Sequence, residues 1–455
     1  MKILFCIYQL DFADHIAISY LSAIAKKRGH TTYFSVLKDF EQNLELVRPD
    51  LVAYSFNIFG FDEVVAAHKL LQPIYGFKSI AGGPHCTSFP ELYPETGVDT
   101  YCIGEGELAW DEYLSRIEEG KPFDDVANLI TPKGANPVRP WIVDLNELPL
   151  ADRDLVLSNS FLKETPKKTF YATRGCPFSC YYCVNNFYND LYKGKGKVIR
   201  RFSVDRVINE IKDVRSKYRM DFLKFGDDLF ALRADDWLRE FAERYSKEVN
   251  IPFNCFLRFD WVTDELISLL KKSNCYSVHL SVDSASPKVR EMVLGRKMKD
   301  VDIPAQLSMI HDHGIHTLVN FMLAAPESTV EDDLETIEIG YKGKVTYLNY
   351  TTTTPTKGTK LYDYSISHGL IDLSNYSQDL FGFGKPSQLV IFSQKEKDIR
   401  YNVYLLGAFA SRLPNPFRWA VKLLIRHTRP NDFYMWVRNT YKKYYFDRGI
   451  FNLDN

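Results

Sequence analysis

The sequence predicts an α/β chain built in two stages: a doubly wound parallel sheet, then a parallel barrel of about six βα units, with a mainly helical tail. Three observations carry this. Short β-branched runs alternate with helical patterns from the first residue; the alternation stops at a proline-punctuated stretch and then starts again; and the end of the chain interleaves Arg and Lys with Trp, Tyr and Phe. Domains are expected at 1–120, 166–370 and 371–455, with 121–165 as an ordered linker.

The front domain reads "KILFCIY", "TTYFSVL", "DLVAYSFN", "KSIAGGP" and "TYCIGEGE" as strands, with helical patterns such as "HIAISYLSAIAKKRGH" between them. Parallel neighbours need a crossover, so strands separated by helices make a parallel, Rossmann-like sheet covered on both faces. In such sheets ligands bind beyond the carboxyl ends of the strands. Each strand here runs into small or polar residues: Gln9–Asp14, Ser55–Gly60, Gly82–Thr87 and Gly104–Glu107. The second domain repeats the alternation with "KTFYATRG", "FLKFGDD", "FNCFLRF", "YSVHLSVD", "HTLVNFML" and "VTYLNYTTT". Its chemistry is expected at the same end of the strands.

Composition sets the outer limits. With 455 residues, 45% hydrophobic, the chain can bury large cores, and a formal net charge of -1 gives no overall field for nucleic acid. No nucleic-acid partner is expected. The opening apolar run is broken by Asp11 and Asp14, and no run approaches the roughly 18 residues of a membrane span, so a cytoplasmic protein is expected. In the tail, basic-aromatic interleaving can mark a membrane surface or a phosphate-bearing substrate. The reading preferred over peripheral membrane contact is amphipathic helices that pack aromatics on the barrel and turn cations outward.

The cysteines carry the sharpest signal. In "YATRGCPFSCYYCVNNF" three of the eight fall within eight residues, at Cys176, Cys180 and Cys183. Cys6, Cys102, Cys255 and Cys275 lie in apolar strand-like runs and read as buried small hydrophobes. A closed zinc site wants four ligands, and no fourth cysteine or histidine is near. A cubane iron–sulfur cluster can instead be held by three thiolates with its fourth iron open to an exogenous ligand.

Cys-x3-Cys-x2-Cys, with Tyr182 before the last cysteine and on the loop after the first barrel strand, resembles the radical S-adenosylmethionine (SAM) superfamily. The resemblance implies a [4Fe–4S] cluster on Cys176, Cys180 and Cys183, SAM chelated to the open iron, and reductive cleavage to a 5′-deoxyadenosyl radical. It also implies roles for other positions. Gly226 and Asp227 or Asp228 would meet the methionyl amine, Arg258 its carboxylate, Ser281 and Asp283 the ribose. Arg296 stands where similar proteins often have an arginine, and Glu327 fits the adenine-side segment, although Ala324 and Ala325 stand where glycine is common. Each of these can also be a strand-end polar group with a purely structural role.

"AGGPHCT" and "CIGEGE" resemble the cobalamin-binding domain that precedes the barrel in one large branch of this superfamily, with Ser55, Gly82, Gly83, Gly104 and Glu105 as candidate cofactor contacts. Glycines there would let backbone approach a large flat ligand. The Asp-x-His-x-x-Gly segment that supplies an axial imidazole in many cobalamin proteins is absent from "QLDFADHIAIS". Neither His15, His85 nor Cys86 is therefore expected on cobalt. The resemblance implies a cobalamin-dependent methyltransferase acting on an unactivated carbon or phosphinate centre of a small molecule, supplied with electrons by a flavodoxin or ferredoxin. A radical rearrangement, cyclisation or oxidation is the alternative within the family, and an iron–sulfur or zinc scaffold the alternative outside it.

Overall fold

The computed structural model describes residues 1–10, 15–377 and 384–453, so part of the loop after the first strand, Asp11–Asp14, lies outside the described residues. The chain divides into two compact units. One comprises Met1–Thr169 with Phe187–Met220, the other Phe170–Asn186 with Asp221–Asn455.

The first unit is built on a seven-stranded sheet of order β2-β1-β3-β4-β5-β6-β7. Strands β1 (Lys2–Ile7), β2 (Thr31–Val36), β3 (Leu51–Ser55), β4 (Lys78–Gly82) and β5 (Thr100–Cys102) are parallel neighbours, as the sequence predicts. Ile3 to Ile7 are all buried, as a strand covered on both faces requires. The edge differs from expectation. β6 (Leu129–Thr131) pairs antiparallel with β5, and β7 (Gly134–Ala135) antiparallel with β6, so the sheet runs on into the stretch read as linker. The connection from β1 leads to β2 on one side, and β3 lies on the other. This leaves the topological switch point, where open α/β sheets bind ligands, at the carboxyl ends of β1 and β3.

The second sheet has six strands in sequential order, β8 (Lys167–Phe170), β11 (Phe222–Phe225), β12 (Phe253–Phe256), β13 (Cys275–Asp283), β14 (His316–Leu323) and β15 (Tyr347–Thr352); the two-residue strands β9 (Thr173–Arg174) and β10 (Arg200–Arg201) lie outside it. All six expected barrel strands are present. Their alternation sorts side chains by face: on β13, Val278, Leu280 and Val282 are buried, while His279 and Ser281 between them are only partly so. Asn320 and Asn349 occupy equivalent positions on β14 and β15 in register with one another. One face of this sheet is thus lined with polar groups. Asn349 donates to Asn320 Oδ1 at 2.8 Å, and the Asn320 amide nitrogen lies 2.6 Å from His279 Nε2.

The tail is helical at Gln394–Ala410, Phe417–His427 and Asp432–Lys442. The first of these opens with a capping box of Ser393 and Glu396 and packs on β15 and on the helix Val330–Lys342. No helix among the described residues is long and apolar enough to cross a membrane.

Candidate functional site

The three thiols open onto one cavity of about 330 Å³, within the range of small-molecule sites, walled by Phe178, Asn185, Asp228, Arg258 and Ser281, with His279 among its lining. Cys176 and Cys183 sit on a short irregular loop and are partly exposed, while Cys180 is buried. Burial pushes the Cys176 thiol up to about 11 and the Cys183 thiol up to about 12. Among the described residues no three His, Cys, Asp or Glu converge closely enough to hold a single metal ion. Burial also pushes His279 down to about 3, so its imidazole is neutral.

Cys180 is flanked by two cations. Arg258 Nη1 and Arg296 Nη1 each lie 3.9 Å from its sulfur. Arg258 also donates from Nε to Asp260 at 2.6 Å and from Nη2 to the Lys297 carbonyl, and its plane covers the Phe178 ring at 4.0 Å. Its fork is therefore largely engaged where it lines the cavity. Arg296 is braced in the same way: Nε is 2.9 Å from Asp283, Nη1 reaches the Tyr182 hydroxyl at 3.3 Å, and Nη2 bonds the Ser281 carbonyl. Tyr182 in turn donates to Asp283 at 2.5 Å. Asp283, expected at a ribose, is instead the buried centre of this brace and does not line the cavity; Ser281 does.

The two aspartates at the end of β11 have separate surroundings. Asp227 is buried, and its Oδ1 accepts the backbone N–H of Ala172 at 2.8 Å and of Thr173, which ties the start of the cysteine loop to β11. Its Oδ2 is buried without a hydrogen-bond partner. Burial raises this carboxyl to about 7 despite the amide hydrogen bonds. Asp228 borders the cavity, and the surrounding protein raises its pKa as well, against a hydrogen bond from Asn185. Gly226 is bare because a Cβ would come within 2.9 Å of the Tyr171 ring. Glu327 stands apart from the cavity, bound by the Tyr364 hydroxyl at 2.7 Å and by Lys288 at 3.1 Å. Ala324 has φ of 56°, a left-handed backbone that a glycine adopts more readily.

In the first unit, Ser55 and Gly82 stand side by side at the ends of β3 and β4. Gly83 (φ 104°) presses on the chain itself, since a Cβ would lie 2.5 Å from the Phe56 carbonyl oxygen. Gly104 (φ 76°) likewise faces Tyr192, whose hydroxyl would be 2.1 Å from a Cβ and accepts the Glu105 N–H at 2.6 Å. Glu105 forms a two-pronged ion pair with Arg200 at 2.8 Å. These two glycines therefore serve intramolecular contacts. Gly82, where a Cβ would meet only ordinary van der Waals contacts, is bare at the strand end. His85 is buried and stacked on Phe61 at 3.8 Å, and Cys86 is buried.

Asn185, Phe256 and His279 line the cavity although no sequence motif points to them. His279 is legible in principle, as the polar member of the alternating "SVHLSVD". Asn185 lies in a segment that carries no period.

Residues 170–339 match the family described as the radical SAM superfamily. An uncharacterized methyltransferase of Pyrococcus horikoshii is 24% identical over 376 residues, 79% of this chain and 80% of that protein. The cytidylyl-2-hydroxyethylphosphonate methyltransferase of Streptomyces wedmorensis is 21% identical over 432 residues, 78% of each. The solved structure of the radical S-adenosylmethionine methyltransferase TsrM from Kitasatospora setae, with cobalamin and a [4Fe–4S] cluster bound, has a TM-score of 0.68 at 15% identity over 97% of this chain and 98% of that one. Residues 170–339 thus match a radical SAM domain, and the chain shares the fold of the TsrM structure.

Proposed function

We propose that this protein is a cobalamin-dependent radical SAM methyltransferase that methylates an unactivated carbon or phosphinate centre of a small molecule. The observation that carries the reading is the three-thiol cavity at the carboxyl ends of a six-stranded parallel sheet, with two guanidinium groups beside one sulfur. Three thiols lining one cavity, next to fixed positive charge, are a donor set that fits a [4Fe–4S] cluster. The orphaned Oδ2 of Asp227 fits the ammonium of SAM, an acceptor without a donor in a site that must bind a cation. In the first unit the switch-point edge, with Ser55 and bare Gly82 side by side, fits a cobalamin approaching the strand ends. When bound, the cluster and SAM supply one-electron cleavage, and cobalamin supplies the methyl group.

The residues then divide the work. Cys176, Cys180 and Cys183 hold the cluster; Arg258 and Arg296 offset its negative charge; Tyr182 and Asp283 hold Arg296 in place. Asp227 positions the cysteine loop and binds the amine, and Asp228 borders the same space. Neutral His279, braced by Asn320 and Asn349, presents a hydrogen-bonding floor without a charge. Residues 1–120 are assigned to cobalamin and 166–370 to the radical chemistry, with electrons from a flavodoxin or ferredoxin. The test is product analysis after anaerobic turnover with candidate substrates: S-adenosylhomocysteine and 5′-deoxyadenosine in comparable amounts support methyl transfer. Deoxyadenosine alone, with no labelled methyl in the product, replaces it with a rearrangement, cyclisation or oxidation.

A further inference from the structure

The tail turns one of its amphipathic helices inside out. On Phe417–His427 the cations face the protein: Arg418 and Lys422 pair with Glu338 at 3.2 and 3.0 Å, and Arg426 pairs with Glu331 at 2.8 Å. The solvent side is left to Phe417, Trp419 and Leu424, which are 64%, 61% and 45% exposed. After a turn of four residues the helix Asp432–Lys442 buries Tyr434 and Tyr441 but leaves Phe433 and Trp436 64% and 61% exposed, their rings stacked at 5.8 Å. The sequence pattern predicts aromatics inward and cations outward, and on Phe417–His427 the structure has the reverse. Single exposed hydrophobes are ordinary, but four large exposed rings on two successive helices exceed that expectation.

The segment is also rich in cations, of which Arg418, Lys422 and Arg426 are neutralised by Glu338 and Glu331. From Ser411 to Gly449 there are nine Arg and Lys against two Asp, in a chain whose totals are 57 and 58. Arg429 and Lys443 are exposed and form no ion pair among the described residues. Exposed Trp and Phe on the same segment as exposed cations without an ion pair among the described residues are what an anionic lipid interface recognises: the rings enter the headgroup–acyl boundary and the cations meet phosphates. A single-stranded nucleic acid would want cations on the same face as the rings, whereas here the exposed face of Phe417–His427 adds aliphatic Leu424 and turns its cations away. We propose that these two helices dock the protein on an anionic membrane surface.

The test is co-sedimentation of the full-length, cluster-loaded protein with phosphatidylcholine–phosphatidylglycerol vesicles, with pure phosphatidylcholine vesicles alongside. Binding is expected to the anionic vesicles and to weaken with salt. The double variant Trp419→Ala/Trp436→Ala should lower the partition by roughly 100-fold or more, since burying one such ring is worth about tenfold or more. Arg429→Gln/Lys443→Gln should lower it by roughly 20-fold on anionic vesicles and hardly at all on neutral ones. Iron content and melting temperature matching the parent protein certify the fold of each variant. Absence of vesicle binding, or equal binding by the tryptophan variant, overturns the proposal. So does a dimer, or an oligonucleotide complex, that the tryptophan variant abolishes while vesicles remain unbound.

Discussion

Replacing Asp227 with asparagine separates the two tasks assigned to this carboxylate. The amide oxygen keeps both hydrogen bonds from Ala172 and Thr173, so the cysteine loop stays anchored. The orphaned Oδ2 becomes an NH2 group, a donor facing the place assigned to the SAM ammonium. Loss of one hydrogen bond to a charged group costs about 1.5–3 kcal/mol, so SAM should bind roughly 10- to 100-fold more weakly to the cluster-loaded variant in anaerobic equilibrium dialysis. Stability without SAM should move the other way. The folded pKa of Asp227 is about 7 against an ordinary 3.8 because burial disfavours its charge. A folded pKa above the unfolded one means stability that is fully present below pH ~4 and lost as the pH rises through ~7, about 4 kcal/mol in all to order of magnitude. Asparagine has no such dependence. The variant should therefore melt above the parent at pH 8, with a gap that narrows towards pH 5. Unchanged SAM affinity in Asp227→Asn together with a loss in Asp228→Asn would transfer the amine to Asp228, and a melting gap indifferent to pH would refute the desolvation argument.

Alanine at Cys176, Cys180 and Cys183 together should remove iron and sulfide in parallel, and stoichiometric zinc without sulfide in the parent protein would contradict the cluster. Arg296→Met strips the partner from buried Asp283, so it should cost about 3–5 kcal/mol in stability. Where the variant still loads a cluster, loss of a cation 3.9 Å from Cys180 should make the cluster harder to reduce, read as a more negative midpoint potential. Gly83→Ala should lower the melting temperature whether or not cobalamin is bound, because its Cβ meets the Phe56 carbonyl at 2.5 Å on a left-handed backbone. Gly82→Val, with room at the Cβ, should fold and yet lose cobalamin absorbance; retained absorbance there would move the corrin away from the end of β4.

The eleven strands expected from alternation are legible because each sits between covering helices, a pattern that burial on both faces writes directly into β-branched runs. β6 and β7 are not: "LIT" and "GA" are too short to show a period, and prolines at 132 and 137 disguise an antiparallel edge as linker. Within the site, the spacing of the cysteines and the acidic end of β11 can be read. Which aspartate is tied down cannot, since it depends on amides of Ala172 and Thr173 brought from 55 and 54 residues away. Asp283 escapes sequence reasoning for the same cause. Its partners Tyr182 and Arg296 belong to other loops, and nothing local distinguishes a buried brace from a ligand contact. In the tail, composition reveals basic and aromatic residues, but which way they face is decided by Glu331 and Glu338 on a distant helix.

Phe187–Met220 follows the cysteine loop in sequence yet packs with the front sheet. It brings Arg200 to Glu105, Tyr192 to the Glu105 amide, and Glu210 to a buried pair with Arg153 at 3.1 Å. A fragment ending near residue 165 would keep Glu105 and Arg153 but discard all three partners, leaving buried charge uncompensated. The two units therefore cannot be separated by a single cut of the gene. Any attempt to graft the front unit onto another barrel, or to exchange the barrel that follows it, must carry an inner segment along with the amino-terminal one.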